Sequence, residues 1–301
     1  MKIFITGASG FVGRRLLDAC FIHNYSVSVW VHQQKSLSLF QDKSFQLNYG
    51  DLGDSKNKKQ LLQALTGQEI IVHLAGKTPQ TATREEVSDS SNVQSMKQLI
   101  DCAKQTQIKK IIYVSTQSVK ITNPSRYGAS KKMAEEMLQS SGLDYVILRP
   151  AIIYGSGEAG IFKKFVNLIQ KLPVLPIPST SVLFQPVSVD DVVNAILKIA
   201  IKNIQTKIMD VAGPTSVTFA QFIQLTAQAQ KLDRIVIPFP MPVAILGAKF
   251  LTLLTDHPPV TVENLIGLSE STSIDLNPLK NELNIEPTSL SEGLKKVFSH
   301  E

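Results

Sequence analysis

The sequence predicts an α/β fold, a doubly wound parallel sheet joined to a smaller, mainly helical carboxyl-terminal lobe. Three observations predict it. Short β-rich runs alternate with helical stretches through the first half of the chain. Several of those runs are apolar nearly throughout, as strands buried on both faces must be. After Arg149-Pro150 the alternation gives way to glycine and proline punctuation. At 301 residues the chain is long enough for one large domain with a smaller lobe, and too short for three domains of usual size.

The expected strands are Lys2 to Thr6, Ser26 to Val31, Phe45 to Tyr49, Ile70 to Leu74, Lys110 to Ser115 and Tyr145 to Leu148. Between them, Phe11 to Phe21, Lys56 to Leu65, Glu85 to Thr106 and Tyr127 to Ser140 carry apolar residues three or four apart, the period of a helix packed on one face. Gly155, Gly157 and Gly160 lead into a stretch broken by Pro173, Pro176, Pro178 and Pro186, which predicts loops over a cleft instead of long regular elements. Val187 to Val193 opens another helix with an aspartate, Asp190 or Asp191, as its N-cap, and Lys207 to Val211 returns a strand to the sheet. From Gly213-Pro214 onward the pattern is mainly helical, with breaks at Pro238, Pro240, Pro242, Pro258 and Pro259. These limits divide the chain into a sheet domain, residues 1–155 and 187–213, and a lobe made of 156–186 and 214–301. Ligands of open parallel sheets sit beyond the carboxyl ends of the strands, so the cleft belongs between the two.

The run Thr6-Gly7-Ala8-Ser9-Gly10-Phe11-Val12-Gly13 closes the first strand and opens the first helix. Glycine at the first, second and third positions of G-x-x-G-x-x-G permits a tight turn, close approach of backbone to a pyrophosphate, and close packing of helix on strand. The helix start adds free N–H groups and a positive dipole end. Three glycines alone are a weak signal; in this strand–turn–helix context they identify a Rossmann-type dinucleotide site. Gly50-Asp51-Leu52 follows the third strand, where the Asp51 carboxylate can accept the adenine amino protons or serve as an ordinary turn residue. An NAD site usually places an acid at the end of the second strand. Here that end reads Trp30-Val31-His32-Gln33-Gln34-Lys35, and Arg14, Arg15, His32 and Lys35 offer positive charge for a 2′-phosphate. The expected cofactor is NADP, with NAD as the alternative.

Tyr127-Gly128-Ala129-Ser130-Lys131 places a phenol and an ammonium on one helix face. A phenol near pKa 10 is a poor acid–base catalyst at neutrality, and a neighbouring cation favours the phenolate. Tyr-x-x-x-Lys arises readily by chance, but here it follows a strand whose end carries Ser115-Thr116, hydroxyls that can orient a substrate oxygen. Thr116, Tyr127 and Lys131 are the expected catalytic residues.

These stretches resemble the extended short-chain dehydrogenases/reductases, the group that includes nucleotide-sugar epimerases and dehydratases. The resemblance covers nearly the whole chain: Thr6 to Gly13, Gly50 to Leu52, Val72-His73-Leu74-Ala75-Gly76, Asn92, Val114 to Thr116, Tyr127 to Lys131 with Glu135, Leu148 to Pro150 with Tyr154-Gly155, and Val189 to Val192. It implies Tyr127 as the proton donor or acceptor, Lys131 as the residue that lowers its pKa and binds ribose, and Thr116 as the substrate-holding hydroxyl. It also implies Leu74, Ala75 and Gly76 along the cofactor, and a homodimer as an open assembly state. Two departures stand out. Only Gln117 to Arg126 separate Thr116 from Tyr127, where sugar-nucleotide epimerases carry a longer loop. The segment from Val211-Ala212-Gly213-Pro214 to Leu294 is similar to the branch containing an accessory subunit of respiratory complex I.

Hydride transfer at a secondary alcohol or ketone is therefore expected, with epimerase, dehydratase and reductase all open and a nucleotide sugar among the eligible substrates. The competing reading is a non-catalytic NADP(H)-binding module in a larger assembly. The formal charge of +6 comes from scattered lysines with few interleaved aromatics, which argues against nucleic acid. Lys163 and Lys164 read as exposed helix residues, with a substrate phosphate as the alternative. Cys20 and Cys102 lie in amphipathic patterns without metal-ligand spacing, so neither zinc nor a disulfide framework is expected. The amino terminus reads as a strand and turn, not as a signal peptide, which predicts a cytoplasmic protein. The apolar run Met241 to Leu254 is too short to span a bilayer and is expected to pack under the lobe, with a helix lying on a bilayer as the lesser alternative.

Overall fold

The computed structural model describes residues 1–34, 36, 40, 45–77, 90–157, 161–202, 204, 206–254, 262–266 and 270–299. Lys35, Gly160, Pro258, Pro259 and residues 85–89 of the expected third helix lie outside them. In chain order the elements begin β1 (Lys2–Thr6), α1 (Phe11–Ile22), β2 (Ser26–Val31), β3 (Gln46–Tyr49), α2 (Lys58–Leu65), β4 (Ile70–His73), α3 (Ser90–Ala103) and β5 (Lys110–Val114). They continue α4 (Arg126–Gln139), β6 (Tyr145–Pro150), β7 (Ile153–Tyr154), α5 (Ile161–Lys171), β8 (Val174–Ser179), β9 (Val187–Ser188), α6 (Val189–Ile201) and β10 (Lys207–Val211). The remainder holds α7 (Phe219–Ala229), β11 (Ile235–Pro240), α8 (Met241–Leu254), α9 (Val262–Ile266) and α10 (Leu290–Phe298).

Seven strands form one parallel sheet in the order β10-β6-β5-β4-β1-β2-β3. Side chains alternate across each strand, so one strand feeds two cores. Ile3 and Ile5 of β1 join Val27, Val29, Val72, Ile112 and Val146 under α1 and α6. Phe4, Trp30, Ile71, Ile111 and Tyr113 point the other way, under α2, α3 and α4. This two-sided burial is why the strands read as continuous apolar runs. The chain leaves β1 in one direction to β2 and β3, then returns beside it as β4, making β1/β4 the switch point where ligands of such sheets bind.

The proline-punctuated stretch departs from expectation. Instead of loops, residues 161–179 form α5 and β8, and β8 pairs in parallel with β11, whose Pro238 and Pro240 had read as helix breaks. A two-stranded ribbon tolerates these prolines because each strand has a free edge that needs no ladder N–H. A third core, with Tyr154, Phe162, Leu175, Ile177, Phe219, Phe222 and Leu294, packs β8, α5, α7 and α10 together. The cap of α6 also differs from expectation: Ser188 Oγ accepts the Asp190 N–H, while Asp190 and Asp191 occupy the first turn beside the positive dipole end. Asp191 is taken by Thr288, which donates through both its N–H and its hydroxyl.

Candidate active site

The glycine run forms the turn between β1 and α1. Gly7 has φ +73°, and a Cβ there would stand 2.5 Å from Ala75 N. A Cβ on Gly13 would stand 2.3 Å from Gly7 O. Both neighbours are backbone, so these positions admit glycine alone, for the reasons the spacing suggested. Gly10 caps α1 without any side-chain hydrogen bond, unlike the Ser and Thr caps of α4, α6, α7 and α10. The first-turn amides, from Phe11 through Gly13, thus meet no capping side chain, and no Cβ fills the cradle at Gly7 and Gly13. This arrangement fits the pyrophosphate of a dinucleotide. Thr6 fixes the floor of the turn: its hydroxyl accepts the Ala75 N–H at 3.2 Å and shares a 2.7 Å hydrogen bond with His73 Nδ1. The glycine turn and Leu74-Ala75-Gly76 are thereby joined across the switch point.

Behind Gly76 lies a buried stack. His73 stacks on Tyr113 with centroids 5.4 Å apart, and the Lys131 ammonium lies over the Tyr113 ring, 4.7 Å from its centre. Lys131 Nζ donates to Val114 O at 3.0 Å and borders Gly76. Desolvation drives the Lys131 pKa down to about 8 against the opposing pull of Glu135, and burial drops His73 to about 3, so His73 is neutral. Tyr127 sits one turn before Lys131, partly exposed, and among the described residues no group hydrogen-bonds its hydroxyl. Desolvation pushes its pKa up to about 12. The expected lowering by Lys131 is therefore absent, because the ammonium is directed to Val114 O and the Tyr113 ring. Thr116 follows the end of β5, where its Oγ1 accepts the Ser118 N–H and donates to Ser118 Oγ at 3.3 Å. Its neighbour Ser115 is buried with an unpartnered hydroxyl.

Three clamps hold this arrangement. Asn92 Oδ1 accepts the Lys77 N–H at 2.9 Å, and its Nδ2 donates to Ser130 Oγ, tying the Gly76-Lys77 turn to α4. Glu135, buried one turn past Lys131, takes a fork of hydrogen bonds from Arg149, the shortest 2.5 Å. Gln117 Nε2 donates to Asp210 Oδ1 and Arg149 O, and Lys120 Nζ donates to Asp210 Oδ2 and Ser273 O. Asn92 and Glu135 carried a pattern in the sequence. Gln117, Lys120 and Asp210 were missed, and an acid in the middle of the strand Lys207–Val211 was the signal available.

At the adenine end, Trp30 Nε1 donates to Gly50 O at 2.8 Å. Asp51 Oδ1 accepts the Gly53 N–H, a local turn contact, and the exposed carboxylate precedes buried Leu52. His32 is exposed at the end of β2. Of the two arginines expected near a 2′-phosphate, Arg15 is held by Asp190 at 3.0 Å, and Arg14 donates to Gly157 O at 3.2 Å while remaining exposed. Among the described residues, no group of His, Cys, Asp and Glu is arranged to hold a metal ion.

The model for the NAD dependent epimerase/dehydratase family matches residues 3–212, which contain every residue named in this site except Ser273. The chain belongs to the NAD dependent epimerase/dehydratase family. The Rossmann-type fold expected from the sequence agrees with that membership. Within the family's curated relatives it is 26% identical over 189 residues to a 4-hydroxy-2-methyl-3-oxo-4-farnesyl-3,4-dihydroquinoline-1-oxide ketoreductase of Stigmatella aurantiaca. That match covers 56% of this chain and 55% of the relative, so the chain aligns with about half of the ketoreductase. It is also 26% identical to the mitochondrial NADH dehydrogenase [ubiquinone] 1 alpha subcomplex subunit 9 of Dictyostelium discoideum, over 76% of this chain and 65% of that one. Its fold matches the Streptomyces venezuelae dTDP-glucose 4,6-dehydratase DesIV, solved with NAD and TYD bound, with a TM-score of 0.77 and 20% identity over 99% of this chain and 96% of that one.

Proposed function

We propose that the protein reduces a ketone to a secondary alcohol, or runs the reverse reaction, with Tyr127 moving the proton, Thr116 holding the substrate oxygen and Lys131 binding ribose beside them. The observation that carries the reading is the position of Lys131, on the first turns of α4 with Tyr127 one turn before it, where its Nζ donates to Val114 O at the end of β5, two residues before Thr116, and borders Gly76 at the sheet's switch point. A bound nicotinamide dinucleotide would supply the hydride, and membership of a family described as NAD dependent supports such a cofactor. The chain's own residues do the rest. Thr6 to Gly13 cradle the pyrophosphate, Leu74 to Gly76 line the opposite wall, and Asp51 with Leu52 meets the adenine. Tyr127, with its pKa raised, keeps its proton at neutral pH, the form that donates to a ketone oxygen.

NADP is the cofactor we favour over NAD. The support is the acid-free end of β2, Val31-His32-Gln33-Gln34, together with exposed Arg14 at the start of α1. Residues 156–186 and 214–301 form the substrate lobe in this reading, and a cytoplasmic setting suits two free, buried cysteines. A nucleotide sugar, the class named by the dTDP-glucose 4,6-dehydratase, and a ketone, the class named by the Stigmatella ketoreductase, are the two substrate classes to screen. The similarity to the complex I subunit favours a second reading, a non-catalytic dinucleotide module in an assembly.

Tyr127→Phe separates the two. Loss of turnover by at least a hundredfold with dinucleotide affinity kept supports the enzyme; unchanged activity refutes the role of Tyr127. Mass spectrometry of cofactor carried through gentle purification tests the preference, and retained NAD would overturn NADP.

A further inference from the structure

The sheet carries a buried polar row where a core alone would be apolar. On the face under α2, α3 and α4, Phe4, Ile71 and Ile111 stand opposite one another across β1, β4 and β5. Two residues further along each strand, on the same face, the register sets Thr6 against His73 and His73 against Tyr113. These three are 0%, 1% and 1% exposed, and burying polar groups there costs free energy that an apolar continuation of the row would not. They join end to end. The Thr6 hydroxyl shares its 2.7 Å hydrogen bond with His73 Nδ1, the His73 ring lies at 21° to the Tyr113 ring, and the Lys131 ammonium, carried by α4, stands over the Tyr113 ring. The row therefore connects the first residue of the glycine turn with the lysine of α4.

A buried ammonium is ordinarily paired with a carboxylate. The acid one turn further along α4, Glu135, is instead committed to Arg149 through a fork of hydrogen bonds. Lys131 Nζ is left with one carbonyl, Val114 O, and one aromatic face. Both attract a cation and neither can take its proton or cancel its charge, so that charge stays available to a ligand on the Gly76 side. The groups behind the ammonium are neutral. Burial, helped by the Lys131 charge, pushes the His73 pKa down to about 3, and burial raises that of Tyr113, so the stack supports the ammonium without repelling or deprotonating it. Among the described residues, the titratable groups around Lys131 are thus His73 from β4, Tyr113 from β5, and Tyr127 and Glu135 from α4, with Arg149 of β6 paired to Glu135.

We propose that Tyr113 is the positioning residue for Lys131, its ring face, backed by His73, holding the ammonium beside Gly76 where a cofactor ribose would meet it. The inference rests on the reading of Lys131 as the ribose-binding cation. A ring face over a desolvated cation raises its pKa by about one half to one and a half pH units. The full chain is isotope-labelled at the lysine Cε for NMR, and the resonance missing from Lys131→Met reports the Lys131 titration without any ligand. Tyr113→Phe, which keeps the ring face, should titrate as the wild type does. A trifluorinated phenylalanine introduced at position 113 keeps the ring but withdraws its negative face, and Tyr113→Leu removes the ring; both should titrate lower by at least half a pH unit. Thermal unfolding checks that each variant is folded, and the trifluorinated ring carries the test should Tyr113→Leu fail to fold. Titration with whichever of NADPH and NADH binds the wild type more tightly gives a second readout. The trifluorinated variant should match Tyr113→Phe within twofold at pH 7, where the ammonium is largely formed in both, and bind at least threefold more weakly at pH 9. An unchanged Lys131 titration in the trifluorinated variant, a shift as large in Tyr113→Phe, or an affinity lowered equally at both pH values overturns the proposal. Full dinucleotide affinity in Lys131→Met instead refutes the ribose-binding reading and reduces Tyr113 to a structural partner, an outcome recognisable because the ligand-free titration still shifts.

Discussion

Replacing Lys131 by methionine should make the protein more stable and less able to bind its cofactor. Methionine keeps the length and packing of the lysine stem and removes its charge. Burial lowers the Lys131 pKa from the ordinary 10.5 to about 8, a penalty on the ammonium of about 3 kcal/mol at neutral pH. The bond to Val114 O and the contact with the Tyr113 ring return about 1 to 2 kcal/mol of that when they are lost. The expected net gain is about 1 to 2 kcal/mol at pH 7, measured by urea unfolding followed through Trp30, the only tryptophan. Because the folded value lies below the unfolded one, the unfolded wild type binds more protons between about pH 8 and pH 10.5, and its stability rises with pH across that window. The advantage of Lys131→Met should shrink over the same range. Dinucleotide titration of the same variant should show affinity reduced at least tenfold. A variant less stable than wild type at pH 7, or a stability gap that stays constant from pH 7 to pH 10, would refute the desolvated-ammonium account.

Gly7→Ala places a Cβ 2.5 Å from Ala75 N at a φ of +73°, a left-handed conformation that alone costs an alanine about 1 to 2 kcal/mol; dinucleotide binding by calorimetry should be lost. Glu135→Gln removes the buried partner of Arg149 and should cost about 3 to 5 kcal/mol in urea unfolding. Since Glu135 also holds the Lys131 pKa up, the pH at which Lys131 loses its proton should fall in that variant. Gly293→Ala drives a Cβ to 2.0 Å from the Tyr154 hydroxyl and should lower stability by about 1 to 3 kcal/mol. Adding Tyr154→Phe, which deletes a buried hydroxyl without a partner but leaves the ring carbons at 2.8 and 2.9 Å, should recover part of the loss in a thermal melt; no recovery would place the strain elsewhere.

What the sequence made legible followed from local rules. Strands buried on both faces wrote themselves as Lys2 to Thr6 and Lys110 to Val114, and the three glycines needed only the strand before and the helix after them. The proline-rich stretch misled because proline opposes a strand only where the ladder needs its N–H. In the β8–β11 ribbon, Pro176 and Pro178 meet Ile237 and Phe239 across a single pair of strands. The pattern at Tyr127 and Lys131 was readable, but the electrostatics were not. A phenol and an ammonium one turn apart suggest a lowered phenol pKa. The fold instead directs the ammonium to Val114 O and the Tyr113 face, partners separated from it by 17 and 18 positions in the chain. Arg15 likewise read as a phosphate ligand until the fold set Asp190 beside it, 175 residues away.

The short span from Thr116 to Tyr127 explains why chemistry was easier to read than substrate. Its first turn, Gln117–Lys120, is fixed by Asp210 at the end of the sheet and by Ser273 O, and Thr122 donates through its N–H and hydroxyl to the Glu270 carboxylate. Residues 270–275 therefore grip a segment that a longer loop occupies in typical sugar-nucleotide epimerases. The family match ends at residue 212, before those residues begin. The residues proposed to move the proton and to hold the cofactor lie inside the shared region, where family patterns reach. The part that supports the edge of the site beside Thr116 lies outside it, assembled from contacts about 150 residues apart. A relative that shares Tyr127 and Lys131 but not the Lys120–Ser273 and Thr122–Glu270 contacts therefore carries the same chemistry on a different substrate edge, and its substrate cannot be transferred to this chain.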